Sequence, residues 1–419
     1  MPVTTSSEAC ELAVVIAGTK FAYPEGSGAA SRTHAYARGL MEDGVPVKVV
    51  SLLTPSTSAT SEERVRGVHE GVPFEYACGT RRRQSTFWRR RLVDARVPLG
   101  LWRTASRHFA DAPGARAIIA YSDQPLWITT TALIAKALHA TCVVEVCEVP
   151  LISEHNPLRL ALRSWLLDAV AYRSVDGFIV ISAFLADHIR SRAPRRTRMI
   201  RVPILVAPED FAAVATPTSA TQRIVFAGSL DNAGEIPDLL AAFSLVADDN
   251  PQARLVLAGG AATGVVDALG AEIVRRKLEQ RVEFAGWTPR DELPALFASA
   301  AVLVLPRRDG LFSKAGFPTK LGEYLASGRP VVATATGEIA SHLRDGVDAY
   351  LVPPGDPTAF AARLRHVLAN PGEAQEVGTR GRELATSTFD RRRHGRRLHR
   401  FLCDLAMSPT PSRLPEHGA

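Results

Sequence analysis

The sequence has few features of a disulfide-stabilised or membrane-spanning protein. Its 419 residues include only five cysteines, and no two of them form a Cys-x-x-Cys pair. We therefore expect neither a disulfide framework nor a cysteine zinc site, and we expect a reducing compartment such as the cytoplasm. No uninterrupted apolar run approaches the ~18–20 residues of a membrane span. The N-terminus also lacks the basic segment of a signal peptide, so a soluble or peripheral protein is predicted.

Two common nucleotide-binding fingerprints are also missing. No G-x-x-x-x-G-K-[ST] segment occurs, which excludes a P-loop. Gly26-x-Gly28 follows an apolar run, as in half of a dinucleotide-binding fingerprint. However, Ser31 stands where a third glycine belongs, and the next apolar run ends at Ser51 and not at an acidic residue. We therefore predict neither NAD nor any other cofactor.

Size and composition are typical of a globular protein that binds anions. A chain of this length is expected to form about two domains. Hydrophobic residues make up 46% of it, which is enough for two cores, and the formal net charge is +7. This positive charge favours nucleotides, phosphates, acidic lipids or nucleic acid as partners, without choosing among them.

Short Val- and Ile-rich runs alternate with helical patterns along the chain. Continuous apolar strands separated by helices indicate parallel sheets covered on both faces, and two successive sets predict an α/β protein with two doubly wound, Rossmann-like domains. The predicted strands are residues 12–17, 47–51, 117–121, 142–146, 178–182 and 199–202, then 223–227, 254–258, 282–285, 301–305, 330–333 and 349–352.

The domain limits follow from changes in composition. We predict a first domain over residues 1–208 and a second over 209–387, joined within a stretch rich in proline, threonine and small residues. Residues 388–407 form a basic amphipathic helix, and residues 408–419 are predicted to be disordered. Because ligands of open parallel sheets bind beyond the carboxyl ends of the strands, we expect the site in the cleft between the domains.

The segment FPTKLGEYLASGRPVV, residues 317–332, carries the most chemical information. Pro318 fixes a turn, and Thr319 is expected to cap the following helix, whose first N–H groups suit a phosphate. Glu323 lies about one turn further on, where its carboxylate can accept hydrogen bonds from two vicinal hydroxyls such as a ribose diol. The alternative is an ordinary β/α connection in which Glu323 is a solvated surface charge.

With the blocks that precede and follow this segment, the chain resembles the retaining GT-B glycosyltransferases of family 4. The resemblance covers nearly the whole chain and is strongest over residues 225–354, which include VFAGSLDNAGEIPDLLAAF, ARLVLAGG and GVDAYLVPPGD. It implies the GT-B fold, with a nucleotide-sugar bound on the second domain and a saccharide, lipid-linked or small-molecule acceptor on the first. It also implies metal-independent transfer with retention of anomeric configuration, and a C-terminal helix that crosses back to the first domain.

The resemblance also implies roles for individual residues. Glu323 matches the second glutamate of the family's E-x7-E motif, which binds the ribose, but Ala315 stands in place of the first. Ser229 stands near the position of an arginine that family members place against the diphosphate. The predicted donor-binding residues are Gly28, Gly228, Ser229, Gly316, Phe317, Pro318, Thr319 and Glu323.

Two further residues are predicted to take part in the chemistry. Lys320 is our first choice to supply charge to the leaving diphosphate, with a plain surface lysine as the alternative. Glu148, which ends a predicted strand, is placed on the acceptor side to orient a hydroxyl. It would otherwise cap a loop or pair with an arginine. His34, inside the first helix, is interpreted as structural, and no metal site is predicted.

A basic stretch with aromatic residues remains outside this scheme. Arg81–Arg83 and Arg89–Arg91 bracket Phe87 and Trp88 without an acidic residue. Such a stretch suits an anionic membrane surface, which would match a lipid-linked acceptor at the inner face of the membrane. A solvated loop and nucleic acid are the alternatives, and we predict no nucleic-acid partner.

Two other functions are compatible with the same sequence. A nucleotide-sugar 2-epimerase shares the two-domain shape. A non-catalytic glycosyltransferase-like partner would account for Ala315 and for the missing loop cations.

Overall fold

The computed structural model describes residues 10–24, 28–54, 64–82, 85–152, 154–211, 222–231 and 235–407. These residues form two sheets, one of eight strands and one of six, each flanked by helices. The predicted GT-B architecture of two parallel-sheet α/β units is confirmed. The predicted domain limits are not tested by the structure, and the tail 408–419 lies outside the described residues.

The first sheet has the strand order β3-β4-β2-β1-β5-β6-β7-β8. All neighbours pair in parallel except β3 and β4, which form an antiparallel hairpin at one edge. Its strands are β1 (Leu12–Gly18), β2 (Val47–Ser51), β3 (Arg66–His69), β4 (Val72–Tyr76), β5 (Ala115–Tyr121), β6 (Thr141–Val146), β7 (Gly177–Val180) and β8 (Arg198–Arg201). The helices that accompany it are α1 (Gly28–Met41), α2 (Phe87–Ala110), α3 (Pro125–Ala137), α4 (Pro157–Leu166) and α5 (Ala183–Arg190).

The second sheet has the strand order β11-β10-β9-β12-β13-β14, and all its strands are parallel. They are β9 (Arg223–Ala227), β10 (Arg254–Ala258), β11 (Val282–Gly286), β12 (Val302–Leu305), β13 (Val331–Thr334) and β14 (Tyr350–Val352). Its helices are α6 (Glu235–Asp249), α7 (Val265–Arg275), α8 (Leu293–Ala298), α9 (Leu311–Ala315), α10 (Thr319–Ala326), α11 (Gly337–His342), α12 (Pro357–Ala369) and α13 (Pro371–Thr388).

The last helix, α14 (Arg391–Met407), returns to the first sheet and packs against α1. The two helices cross where glycine faces glycine. A Cβ on Gly395 would lie 2.1 Å from the carbonyl oxygen of Gly39, and a Cβ on Gly39 would lie 2.4 Å from that of Arg391. Only glycine allows the backbones to approach so closely.

The two halves also meet just beyond the carboxyl end of β7, which is contacted by residues of α9 and α11. Ser182 Oγ donates a hydrogen bond to the carbonyl oxygen of Ala315 at 2.6 Å. The N–H of Ala183 donates to Glu338 Oε1 at 2.7 Å. These contacts fix one end of the cleft.

Three features differ from the sequence prediction. The β3–β4 hairpin was not predicted, because its strands are short and β3 alternates exposed and half-buried residues without a continuous apolar run. Thr319 was expected to cap α10 but is its first helical residue, and Pro318 takes the N-cap position without a side-chain bond. Cys10 and Cys403 form a disulfide between the start of the chain and α14, whereas Cys78, Cys142 and Cys147 are free.

None of the helices in the described part of the chain combines the length and the apolar composition needed to cross a bilayer.

Candidate functional site

The carboxyl ends of the two sheets face each other across a cleft, and the first residues of α1 and α10 approach one another there. A Cβ on Gly28 would lie 3.5 Å from Thr319 Oγ1. A cavity at this point is lined by residues of both halves, among them Ser31 and His34 of α1 and Thr319 and Glu323 of α10. The structure therefore brings together two segments that are almost 300 residues apart in the chain.

Glu323 is the central acidic group on the second-domain side. It lies in the second turn of α10 and its side chain is buried. Lys320 Nζ donates to Glu323 Oε2 at 3.0 Å, and Arg290 Nη1 donates to Glu323 Oε1 at 3.4 Å. A buried carboxylate held by two partly exposed cations is a charged group in a concave site, which is what a polar ligand requires.

Not every residue of the segment before Glu323 is free to contact a ligand. The N–H of Gly316 donates to the carbonyl oxygen of Phe312 at 3.0 Å. Phe317 is buried, with its ring 5.2 Å from the ring of His342 and 5.6 Å from that of Phe389. Phe317 thus anchors the segment, and the predicted donor contacts of Gly316 and Phe317 stay predictions.

The loop after β9 brings a second glycine to the same edge of the sheet. Gly228 N–H donates to the carbonyl oxygen of Ala258 at 2.9 Å. A Cβ on Gly259 would lie 1.7 Å from the carbonyl oxygen of Gly228. The two backbones can therefore touch only because Gly259 lacks a side chain. Ser229 is exposed, and its Oγ lies 3.3 Å from Asp231 Oδ2. The rest of the loop, residues 232–234, lies outside the described residues.

The first-domain side of the cleft contains a network of one lysine and two carboxylates. Lys20 Nζ lies 2.6 Å from Glu148 Oε1 and 2.8 Å from Asp123 Oδ2. All three residues line one cavity beyond the ends of β1, β5 and β6. Burial lowers the pKa of Lys20, but the attraction of Asp123 and Glu148 outweighs it and the pKa is raised above its ordinary value. Lys20 is therefore a cation at neutral pH.

The basic residues that precede α10 in the chain pair with acidic residues other than Glu323. Arg308 binds Asp238 through two hydrogen bonds of 2.7 Å. Lys314 Nζ lies 3.1 Å from Asp309. Arg307 is buried, with its Nε 4.0 Å from Glu235 Oε1 and its guanidinium over the ring of Phe312. Of Arg307, Arg308, Lys314 and Lys320, only Lys320 contacts Glu323.

Sequence reasoning missed three residues of this arrangement. Arg290 follows β11 and reaches Glu323 from 33 positions away. Lys20 and Asp123 follow β1 and β5, and they meet Glu148 at the end of β6. Their position directly after predicted strands was the available signal, since such residues gather at one edge of a parallel sheet.

Comparison with known proteins gives matches to both halves of the chain. Residues 27–204 match the family model described as "Glycosyl transferase 4-like domain", and residues 221–370 match that described as "Glycosyl transferases group 1". Together the two models span most of the described residues.

Individual relatives agree with these models. A glycogen synthase of Mycobacterium tuberculosis is 27% identical over 233 residues, which are 55% of this chain and 53% of that protein. The putative colanic acid biosynthesis glycosyltransferase WcaL of Salmonella typhimurium is 33% identical over 132 residues, 31% of this chain and 32% of that protein. The chain thus spans about half the length, or less, of these curated relatives.

Solved structures resemble the fold over nearly its whole length. The sucrose-phosphate synthase of Thermosynechococcus elongatus superimposes with a TM-score of 0.74 at 17% identity, covering 94% of this chain and 99% of that one. The HepE protein of Anabaena, in complex with UDP and glucose, gives 0.69 at 16% identity, covering 94% and 100%.

Two parallel-sheet domains that face each other across a cleft are the GT-B fold. By the family models, the first half of the chain belongs to the glycosyl transferase 4-like domains and the second half to the glycosyl transferases group 1.

Proposed function

We propose that this protein transfers a sugar from a nucleoside diphosphate donor to an acceptor hydroxyl, with retention of anomeric configuration. One observation carries the proposal: Glu323 is buried beside the start of α10, between Lys320 and Arg290, opposite the start of α1. Its carboxylate is the acceptor for the two ribose hydroxyls. UDP is the first candidate because HepE, which has the same fold, is in complex with UDP and glucose.

The cations beside Glu323 supply the charge that the leaving group needs. The diphosphate departs as a polyanion while positive charge develops at the anomeric carbon. Preorganised donors that match this charge lower the barrier, because they need not reorganise during the reaction. We assign this task to Lys320 and Arg290, together with the first N–H groups of α10 and α1. No metal ion is required in this scheme.

The acceptor binds on the first domain, at the Lys20 network. Glu148 and Asp123 are hydrogen-bond acceptors that can orient an incoming hydroxyl, and Lys20 holds both carboxylates in place through its ion pairs. A saccharide, a lipid-linked sugar or a small polyol presents such hydroxyl groups.

A product assay tests this proposal. The protein is incubated with radiolabelled UDP-glucose and other nucleotide-sugars, with and without a panel of saccharide and lipid acceptors. Acceptor-dependent release of the nucleoside diphosphate with a labelled product is expected. Conversion of the donor without acceptor would instead indicate an epimerase, and no turnover with any donor would favour the non-catalytic alternative.

We further propose that the first domain rests on an anionic membrane at the cytoplasmic face. The helices α2 and α4 expose large apolar side chains and carry arginines: Phe87, Trp88, Leu92, Leu158, Leu162 and Trp165 are all more than half exposed. Helix α3 contacts both α2 and the π-helical turn that follows α4, and it thus links the two elements that carry these side chains. Apolar rings beside Arg89 and Arg91 suit the interface of an acidic bilayer.

Not all arginines of the basic stretch 81–91 are available to a membrane surface. Arg81 is buried and lies over the ring of Tyr76, so it belongs to the domain core. Arg83 lies outside the described residues. The membrane surface proposed here therefore begins at Phe87.

Vesicle sedimentation tests the membrane proposal. Binding to phosphatidylglycerol-containing vesicles, but not to pure phosphatidylcholine, is expected, and Trp88→Ser should weaken it. Trp287→Ser is the matched control, because Trp287 is similarly exposed at 72% but lies on the second domain. Equal loss in both variants, or no binding by the wild type, would contradict the proposal.

A further inference from the structure

Two histidines and a glutamate form a cluster at the rim of the first domain. His34 lies in α1, whereas His69 and Glu70 lie at the tip of the β3–β4 hairpin. His34 Nε2 is 3.0 Å from Glu70 Oε2, and His69 Nε2 is 3.9 Å from Glu70 Oε1. One ligand atom from each residue lies within 4.8 Å of the other two.

These separations suit a single small cation. Zinc binds imidazole nitrogen and carboxylate oxygen at about 2.0–2.2 Å, so neighbouring ligand atoms in a tetrahedron are roughly 3.3–3.5 Å apart. The observed separations bracket this value and need only small side-chain rotations to reach it. Two imidazoles and one carboxylate are also the ligand set of three-ligand zinc sites.

The ring of His34 is already oriented for such a role. Its other nitrogen, Nδ1, lies 2.7 Å from the hydroxyl of Tyr23. A metal-bound imidazole usually donates its second N–H to a partner that fixes its orientation. The Tyr23 hydroxyl is that partner here, and His34 is buried with Nε2 directed at the hairpin tip.

The hairpin tip is held in the matching position. Glu70 and Gly71 adopt φ angles of 46° and 82°, which make the tight turn between β3 and β4. Arg38 Nη1 donates to the carbonyl oxygen of Glu70 at 2.5 Å and ties this turn to α1. The positive charges of Arg38 and Arg290 disfavour a further cation beside His34. The negative charge of the Glu70 carboxylate offsets this repulsion.

We infer that His34, His69 and Glu70 bind a divalent transition metal of the zinc class, with water completing the open fourth position. Glu70 is more than half exposed, so the fourth position faces solvent. His34 also lines the cavity that contains Thr319 and Glu323. The ion would therefore fasten the hairpin to α1 beside the donor cleft, without contacting the reacting groups. This inference does not depend on the proposed transfer reaction.

Spectroscopy with cobalt tests the site without an activity assay. The full-length protein is stripped with a chelator and titrated with Co²⁺, whose visible absorption reports tetrahedral coordination, and then with Zn²⁺ by competition. We expect one equivalent to bind, with intense d–d bands that Zn²⁺ abolishes. His69→Gln and Glu70→Gln change residues at an exposed tip and should each weaken the affinity by at least about tenfold.

The control variant is His155→Gln, because His155 is an exposed histidine outside the cluster. It should bind Co²⁺ as the wild type does. Absence of a saturable cobalt spectrum in the wild type would overturn the inference. Equal affinities of the wild type and both hairpin variants would also overturn it.

Discussion

At the scale of single residues, the site depends on ion pairs between segments that are distant in the chain. Glu323 and Glu148 could be singled out from the sequence, because each occupies a defined place in a strand-loop-helix pattern. Their pairing with Lys20 and Arg290 could not be predicted. Lys20 and Glu148 are 128 positions apart, and only the strand order β1-β5-β6 makes them neighbours.

Lys20→Met tests the acceptor-side network. The substitution leaves Asp123 and Glu148 without their shared cation, so the two carboxylates repel and the acceptor is misplaced. We expect kcat/KM for the acceptor to fall by about 100-fold, as a misplacement of about 1 Å does. Nucleotide affinity should stay unchanged, which calorimetry can check beside the kinetics.

Lys136→Met on α3 is the control, because Lys136 is exposed and outside the cavity. A parallel loss of nucleotide affinity in Lys20→Met would contradict the assignment of this network to the acceptor.

At the scale of elements, α14 holds the C-terminal end of the chain against the first sheet. The amphipathic pattern predicted this helix, and the resemblance implied that it crosses back. Neither showed that α14 meets α1 through Gly395 and Gly39. The β3–β4 hairpin was missed because an edge hairpin of 4 and 5 residues lacks a continuous apolar run.

Gly395→Ala should destabilise the protein by about 1–3 kcal/mol or more, because its methyl group would collide with the carbonyl of Gly39. Gly270→Ala in α7 is the matched control. No atom lies within 4 Å of a Cβ there, and alanine favours a helix by about 0.5–1 kcal/mol. Urea denaturation of both variants measures the difference. A neutral Gly395→Ala would show that the helix contact is looser than described.

His394 makes the docking of α14 sensitive to acid. Burial, together with the nearby charges of Arg397 and Arg393, lowers the pKa of His394 to about 4. His394 Nε2 donates to the carbonyl oxygen of Thr388 at 2.7 Å, while Nδ1 accepts from Arg397 at 3.0 Å. The unfolded chain therefore takes up the proton at a higher pH than the folded one, and stability falls as the pH drops from 6.5 to 4.

Between pH 7 and pH 4, the free energy of unfolding should fall by about 1–3 kcal/mol less in His394→Gln than in the wild type. The reason is that glutamine cannot take up the proton. Urea unfolding at pH 7, 6, 5 and 4 measures the dependence for wild type and variant. His155→Gln should retain the wild-type slope. The account of His394 is wrong if His394→Gln shows the wild-type slope as well.

At the scale of the whole molecule, the two sheets form the walls of one cleft, with contacts at Ser182 and Ala183 at one end. The alternation of strands and helices predicted both sheets, because parallel strands buried on both faces have an unmistakable apolar pattern. The pairing of α1 with α10 across the cleft required the tertiary structure, since no sequence pattern encodes how two domains face each other.

Closure of the cleft over the donor is expected, because our proposal places the diphosphate between Lys320 and Arg290 on one wall and the first N–H groups of α1 on the other. Small-angle scattering should show a smaller radius of gyration in saturating nucleotide-sugar than without it. An unchanged radius would count against closure.

Calorimetric titration of wild type and Glu323→Gln with UDP, GDP, ADP and dTDP tests the central claim, that Glu323 holds the nucleotide of the donor. Glu279→Gln is the control, because Glu279 is exposed and lies outside the cleft. We predict selective binding of one nucleotide, weakened in Glu323→Gln by about 1.5–3 kcal/mol for each lost charged hydrogen bond, and unchanged in the control. Equal affinities for wild type and Glu323→Gln, or no binding of any nucleotide, would contradict the claim.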